Sequence, residues 1–175
     1  DKPVTVAEAF KALPSIGEPG NDQTCSAKIT PAKEPILRQS PYAGMLFNGQ
    51  GRPMDVNKPA PTLPATMGGN RTPIVDQSTL ANGDQQWVEQ YHASLMSGGS
   101  VATSIPSNLR RISVQEAAVI QTFPRDMPWH GSQSSRYRQI GNAVPPKMSF
   151  AVAQSVAKAL GLKLHSDKDI LDSLQ

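Results

Sequence analysis

Prolines and glycines recur every few residues in segment 15–58, and this spacing limits the possible folds more than any other feature. Among them are Pro19, Gly20, Pro31, Pro35, Pro41, Gly44, Gly49, Gly51 and Pro53. Proline lacks an amide donor and both residues interrupt helices, so the segment cannot form long regular elements. We therefore predict loops with brief strands at residues 36–37 and at Met45–Phe47.

The composition excludes several protein classes. A chain of 175 residues is long enough for one ordinary domain, and at 5% aromatic residues its core must be mainly aliphatic. No apolar run approaches the roughly 20 residues that span a bilayer, and no signal segment opens the chain, so we expect a soluble, cytoplasmic protein with no membrane partner. The single cysteine, Cys25, allows neither an internal disulfide nor a multi-cysteine zinc site. Because the first residue is Asp1, we expect a piece of a longer protein.

Positive charge is concentrated in residues 106–165. This stretch has two acidic residues, Glu116 and Asp126, against eight basic ones: Arg110, Arg111, Arg125, Arg136, Arg138, Lys147, Lys158 and Lys163. A local excess of this kind suits contact with a polyanion such as nucleic acid. Pairing with carboxylates, or a solvated surface, explains it equally well.

Local sequence signals predict four helices. Thr5 with Glu8, and Ser113 with Glu116, have the capping-box spacing, so we predict helices that end at Pro14 and at Phe123. A third helix is predicted at Trp87–Met96. A fourth begins at the two consecutive prolines 145–146, continues over 147–160 and stops at Gly161, with an apolar stripe of Met148, Val152, Val156 and Ala159.

No complete catalytic constellation is visible in the sequence. Cys25 lacks a basic neighbour until Lys28, and the three histidines are too dispersed for a helical metal pair, so we assign neither catalytic nor metal-binding residues. The Gly-Gln-Gly run at 49–51 is a weak cofactor signal and is better explained as a hairpin turn.

Two ordered blocks carry the specific information. Residues 110–124 read RRISVQEAAVIQTFP, and residues 136–146 read RYRQIGNAVPP. In order and spacing they resemble the ninth and tenth motifs of the DNA (cytosine-5) methyltransferases, especially the bacterial modification methylases. The stretch 60–76, with its Thr-Leu dipeptide, looks like the target-recognition region of that family.

The resemblance implies an α/β fold: the C-terminal part of a Rossmann-like methyltransferase. A small irregular β and loop recognition domain would be joined by helices that pack on a doubly wound catalytic sheet supplied elsewhere. The implied divisions are a linker helix at 1–14, target recognition at 15–108, the ninth and tenth motifs at 109–165 and a tail at 166–175. Without the sheet, the apolar stripe of the last helix should be exposed.

The resemblance also implies site residues. Contacts to double-stranded DNA are expected from Thr62, Leu63, Gly68, Gly69, Asn70, Arg71, Arg110 and Arg111. Residues 68–70 would form a turn that presents Arg71 at an exposed tip, although a plain tight hairpin explains the same residues. Of Arg110 and Arg111, one is expected in an ion pair and the other on a phosphate. Asn142, Ala143 and Val144, at a bend before the last helix, would line the S-adenosylmethionine pocket, although a structural asparagine that closes its own turn explains Asn142 as well.

The family's catalytic signatures are missing from the sequence. There is no Pro-Cys nucleophile, no Glu-Asn-Val segment and no Phe-x-Gly-x-Gly cofactor loop. The resemblance therefore implies the C-terminal portion, or the small subunit, of an enzyme that transfers a methyl group from S-adenosylmethionine to carbon 5 of a flipped cytosine. Alone, the chain is expected to be inactive, and its partner would be the N-terminal catalytic half. Two alternatives stay open: a stand-alone DNA-binding module, and an interaction protein whose motifs match by chance.

Overall fold

The computed structural model describes residues 2–162, which form six helices and four short strands. In chain order these are α1 (Val6–Phe10), β1 (Pro31–Ile36), β2 (Met45–Phe47), β3 (Ile74–Asp76), α2 (Gln77–Asn82), α3 (Trp87–Met96), β4 (Leu109–Arg111), α4 (Val114–Ile120), α5 (Gln133–Asn142) and α6 (Pro146–Ala159). Residues 163–165 of the predicted motif segment and the predicted tail at 166–175 lie outside the described part.

Both predicted capping boxes are present. The Thr5 hydroxyl accepts from the Glu8 amide at 3.1 Å and Glu8 accepts from the Thr5 amide at 2.8 Å, and Ser113 and Glu116 repeat the exchange on α4. These bonds satisfy amides of the first turn and fix both helix starts. The helices end before the predicted Pro14 and Phe123, at Phe10 and Ile120.

The strands form two separate antiparallel pairs. β1 pairs with β2, and β3 pairs with β4 in a register that places Ile74 opposite Arg111 and Asp76 opposite Leu109. β1 runs from Pro31, upstream of the two residues predicted there, and β3 confirms the extended piece predicted at Ile74 and Val75. The fold is thus mixed α/β with two small sheets, as expected of a partial methyltransferase fold. A doubly wound sheet, which the prediction assigns to a part supplied elsewhere, is not formed by residues 2–162.

Helices α2 and α5 and strand β4 lie where the sequence predicts no helix or strand. α2 begins at an N-cap aspartate, Asp76, which accepts from the amides of Ser78 and Thr79. α5 contains Gly141 and Asn142, so the predicted bend at these residues is wrong: both belong to its last turn. Its serines, glycine and asparagine have low helix propensity, and tertiary packing overrides that preference.

The core consists of two clusters. The larger joins α1, α4 and α5 through residues such as Val6, Ala117 and Ile140, and the smaller packs β2 against α3. Tyr137 of α5 is fully buried, and its hydroxyl donates to the Ile112 carbonyl at 2.6 Å. That bond ties α5 to the end of β4 and orients the helix on the larger cluster.

Helix α6 leaves an apolar face uncovered. Met148, Val152 and Val156 are between 52% and 59% exposed, while Ala157, on the opposite face of the helix, is buried. The exposed stripe predicted for this helix is therefore confirmed. Among residues 2–162, no helix is long and apolar enough to cross a membrane.

Candidate functional site

The turn at 68–72 presents the residues predicted to read DNA. The Gly68 amide donates to the Thr72 hydroxyl at 2.9 Å, and the Thr72 amide donates to the Gly69 carbonyl at 3.0 Å. Gly68 has a φ of +103°, a conformation that side chains other than glycine rarely adopt. Asn70 and Arg71 are exposed at this turn, as predicted.

A second loop, residues 49–52, packs directly on the turn. The Gly51 amide donates to the Asn70 carbonyl at 2.9 Å, and a Cβ at Gly49 would overlap the Asn70 side chain. Between the two glycines, Gln50 is exposed with a φ of +67°. A non-glycine residue in this region is uncommon, and such strain often occurs at functional sites.

Four polar side chains from three segments line one pocket. Gln50, Arg52, Thr62 and Arg71, together with Met45, Pro61, Pro64 and Pro73, enclose about 250 Å³. We call this cavity the arginine pocket. Two cationic side chains and no carboxylate line it, so its field favours an anion. The Arg71 guanidinium is steadied by a 3.3 Å hydrogen bond to the Thr66 hydroxyl.

Sequence reasoning missed two residues of the arginine pocket. Gln50 lies in the Gly-Gln-Gly run at 49–51, which in the sequence is better explained as a hairpin turn, and Arg52 follows it directly. The loop does turn, but it leads from β2 to a parallel bridge between Pro53 and Ile74. Two glycines flanking one polar residue, followed by an arginine, were the available signal.

Three residues predicted to contact DNA are engaged inside the protein. Leu63 is buried in the larger core cluster, so only its neighbour Thr62 is exposed. Arg110 forms two 2.7 Å bonds to the Glu116 carboxylate. Arg111 is 3% exposed and donates to main-chain carbonyls. The structure therefore does not support phosphate contacts by either residue, because the Arg111 guanidinium is buried and the nitrogens of Arg110, whose side chain is 19% exposed, already donate to Glu116 and Gln77. The ion pair expected of one of them is present.

Helix α5 lies along the segment that leads into the turn. A Cβ at Gly141 would stand 2.7 Å from the Ala65 Cα, and a Cβ at Gly68 would stand 2.7 Å from the Ser134 Cα. Only glycines permit these two close approaches, one near each end of the helix. The turn at 68–72 thus rests on α5, whose last turn carries Asn142.

The residues predicted to bind the cofactor lie between α5 and α6. Asn142 ends α5, Ala143 is its C-cap and Val144 is exposed. Asn142 offers an amide and Val144 an apolar surface, a combination that suits one wall of a nucleoside-binding site. A complete pocket needs further groups around them.

Cys25 lies behind the turn, half-buried. Its thiol is 3.6 Å from the Thr72 hydroxyl and 3.9 Å from the Gly69 carbonyl. Both neighbours are structural groups of the turn, so the contacts give Cys25 a packing role.

Comparison with known proteins decides the family. The model of the C-5 cytosine-specific DNA methylases matches residues 6–158. The chain belongs to this family. No solved structure matches it significantly.

Relatives of this chain include bacterial and plant proteins. It is 32% identical to the type II methyltransferase M.AgeI of Thalassovita gelatinovora over 127 residues, which is 67% of the chain and 30% of that protein. It is 49% identical to the type II methyltransferase M.Eco47II of Escherichia coli over 55 residues, 31% of the chain and 13% of that enzyme. DNA (cytosine-5)-methyltransferase 2 of Arabidopsis thaliana is 43% identical over 58 residues, 33% of the chain and 4% of the plant protein. The chain thus spans less than a third of these relatives.

Proposed function

We propose that this chain is the target-recognition and C-terminal part of a DNA (cytosine-5) methyltransferase. Together with an N-terminal catalytic half, in the same polypeptide or a separate subunit, it would place a methyl group from S-adenosylmethionine on carbon 5 of a flipped cytosine. The observation that carries the proposal is the arginine pocket beside the turn at 68–72, in a chain of the cytosine-5 methylase family.

The surface around the arginine pocket suits duplex DNA. Arg52 and Arg71 can neutralise phosphates or bind a guanine edge, and Asn70 suits an adenine edge. The hydroxyl of Thr62 and the amide of Gly69 add donors for phosphate oxygens. A protein that flips a base must hold both strands while the stack is broken, and loops on a rigid support meet that need.

We propose that Asn142, Ala143 and Val144 form one wall of the S-adenosylmethionine site. The cofactor supplies the methyl group. These residues would orient it by a hydrogen bond from the Asn142 amide and by apolar contact with Val144. The exposure of Asn142 and Val144 supports this role, since both side chains are accessible.

The exposed α6 stripe is proposed to dock on the catalytic half. The stripe lies on the face of α6 opposite the buried Ala157, so it does not pack in either core cluster of the described residues. The decisive experiment mixes the chain with a separately expressed N-terminal methyltransferase half and measures methyl transfer to duplex DNA. Restored transfer is the expected result. No association and no transfer would reject the proposal.

Replacing Arg71 tests the DNA-contacting surface of the isolated chain. We expect Arg71→Ala to weaken duplex binding and to reduce the dependence of affinity on salt by about one released counterion. Titrations of a labelled duplex at several salt concentrations measure both quantities. Lys11→Ala, an exposed cation at the end of α1, is the control and should leave both unchanged. Equal effects of the two variants would contradict this assignment.

A stand-alone DNA-binding module is the second candidate, favoured by the lack of catalytic signatures in this sequence. It predicts sequence-selective, salt-sensitive duplex binding together with no gain of methyl transfer on mixing. The complementation experiment therefore separates the two candidates.

A further inference from the structure

Two consecutive residues after α4 contact both helices that flank the elbow, which we define as residues 142–145 between α5 and α6. The Thr122 hydroxyl accepts a hydrogen bond from the Lys147 amide, in the first turn of α6, at 3.1 Å. The Gln121 side-chain amide donates to the Ile140 carbonyl, in the last turn of α5, at 3.5 Å. One short segment thus connects the end of one helix to the start of the next.

Helix α6 begins without a side-chain cap of its own. Pro145, its N-cap, makes no side-chain cap bond, and Pro146 has no amide to donate. Lys147 therefore supplies the first amide of the helix, and the amides of a first turn stay unsatisfied unless another group accepts from them. The Thr122 hydroxyl caps α6 from a different segment of the chain, a task that the residue before a helix ordinarily performs.

Side-chain packing does not fix this helix start on the side that faces α1. A cavity of about 400 Å³ lies there, and its lining includes Ala9 of α1, Thr122 and Lys147. Close packing would otherwise hold the first turn of α6 in place. The hydrogen bond between Lys147 and Thr122 therefore determines more of its position than one bond in a packed core would.

Thr122 makes this contact from a strained backbone conformation. Its φ is +61°, in the left-handed region that β-branched residues rarely adopt. The conformation ends α4, because the Thr122 amide donates to the Val119 carbonyl at 3.0 Å and the Phe123 amide to the Ala118 carbonyl at 3.0 Å. Glycine is the usual residue in such a helix end, but it has no hydroxyl to offer α6. The strain therefore coincides with a contact that glycine could not make.

We propose that Thr122 is a positioning residue for S-adenosylmethionine: its hydroxyl fixes the first turn of α6, and with it the elbow that carries Asn142 and Val144, without touching the cofactor. The proposal rests on the proposed function, which places these two residues in the cofactor site. Neither Thr122 nor the elbow lines the arginine pocket, so the effect falls on cofactor affinity and not on DNA binding.

Amide hydrogen exchange in the full 175-residue chain tests the contact itself. Thr122→Val keeps the branched side chain but removes the hydroxyl. We expect the Lys147 amide to exchange about tenfold or more faster in this variant, relative to the Ala117 amide in α4. Thr122→Ser retains a hydroxyl and is the matched control, with exchange at Lys147 close to the native rate. Unchanged exchange at Lys147 in Thr122→Val would overturn the proposal.

Kinetics of methyl transfer, with the chain mixed with an N-terminal methyltransferase half, test the consequence for the cofactor. We expect Thr122→Val to raise the KM for S-adenosylmethionine about tenfold and to leave kcat and the KM for duplex DNA within about twofold of the native values. Thr122→Ser should show a nearly native KM. Thr103→Val, on an exposed part of the loop before β4, should change none of these constants. Equal increases in both KM values for Thr122→Val would overturn the proposal.

A second variant keeps the test decisive if Thr122→Val does not fold. Thr122→Gly also lacks the hydroxyl, but glycine accepts this φ without strain, so we expect a folded chain with the same faster exchange at Lys147 and the same rise in KM. A native KM for S-adenosylmethionine in Thr122→Gly would overturn the proposal. If the native chain restores no methyl transfer, the proposed function fails, whereas the exchange comparison still decides whether Thr122 fixes the first turn of α6.

Discussion

Among single residues, the ion pair of Arg110 and Glu116 joins β4 to α4 within the block at 110–124. The Glu116 carboxylate receives two 2.7 Å bonds from Arg110 and one of 2.8 Å from the Ser113 amide. Glu116 is 1% exposed, so its charge depends on these donors. The same carboxylate thereby caps α4 and binds it to β4.

We expect Glu116→Gln to lower the free energy of unfolding by about 3–5 kcal/mol, because it leaves the Arg110 charge without its buried partner. Urea unfolding followed by circular dichroism measures the loss. Glu8→Gln makes the same change in the exposed capping box of α1 and should cost far less. Similar losses in the two variants would show that the ion pair contributes little beyond the cap.

Two junctions connect secondary-structure elements, one polar and one close-packed. The polar junction is built on Asp76. Its carboxylate accepts from the Ser78 hydroxyl at 2.7 Å, the Asn108 amide at 2.6 Å and the Trp87 main-chain amide at 3.0 Å. It therefore links β3, α2, α3 and the segment before β4. Burial by itself would raise the pKa of Asp76, but these hydrogen bonds outweigh it and the pKa lies below its usual range.

This pKa shift predicts a pH-dependent contribution to stability. Because the folded-state pKa lies below the unfolded value of about 3.9, the contribution is complete above about pH 5 and is lost as pH falls through the folded pKa. We expect Asp76→Asn to cost about 1–3 kcal/mol at neutral pH and to flatten the acid limb of the stability profile. Urea unfolding across the acid range measures it. Asp84→Asn, an exposed control, should retain the native slope.

The second junction is the contact of α5 with the segment at 64–65. We expect Gly141→Ala to destabilise the protein by about 1–3 kcal/mol, since its Cβ would meet the Ala65 main chain. Helix propensity alone predicts the opposite sign, a gain of about 1 kcal/mol. Arg138→Ala, exposed on the same helix, should change stability by less than about 0.5 kcal/mol. Stabilisation by Gly141→Ala would show that α5 can move away from this segment without a cost in free energy.

For the molecule as a whole, we expect the exposed apolar stripe on α6 to drive self-association in solution. We expect Val152→Lys to leave the free energy of unfolding within about 0.5 kcal/mol of the native value, because Val152 is 56% exposed and lies outside both core clusters of the described residues. It should reduce self-association, measured by light scattering, and binding of a hydrophobic dye. Ala151→Lys adds the same charge beside the stripe and should change both less. Unfolding of Val152→Lys would mean that the stripe is covered in solution.

The sequence by itself determined those elements that depend only on residues within one or two turns of each other. Thr5, Ser113, Pro146 and Gly161 set helix boundaries through hydrogen bonds and φ preferences within one or two turns, and an apolar stripe at helical spacing was enough to mark the exposed face of α6. The paired motif blocks likewise identified the family, because they depend on residue order alone.

Tertiary contacts decided the rest. Helix α5 forms because Tyr137 and Ile140 enter the core, and β4 forms because β3 lies beside it, neither of which local propensity reveals. Arg110 and Arg111 are adjacent and alike in the sequence, yet the two faces of one strand send the first to a carboxylate and the second beneath two loops. The arginine pocket joins residues from three separate segments, so only the folded chain brings Gln50, Arg52, Thr62 and Arg71 together.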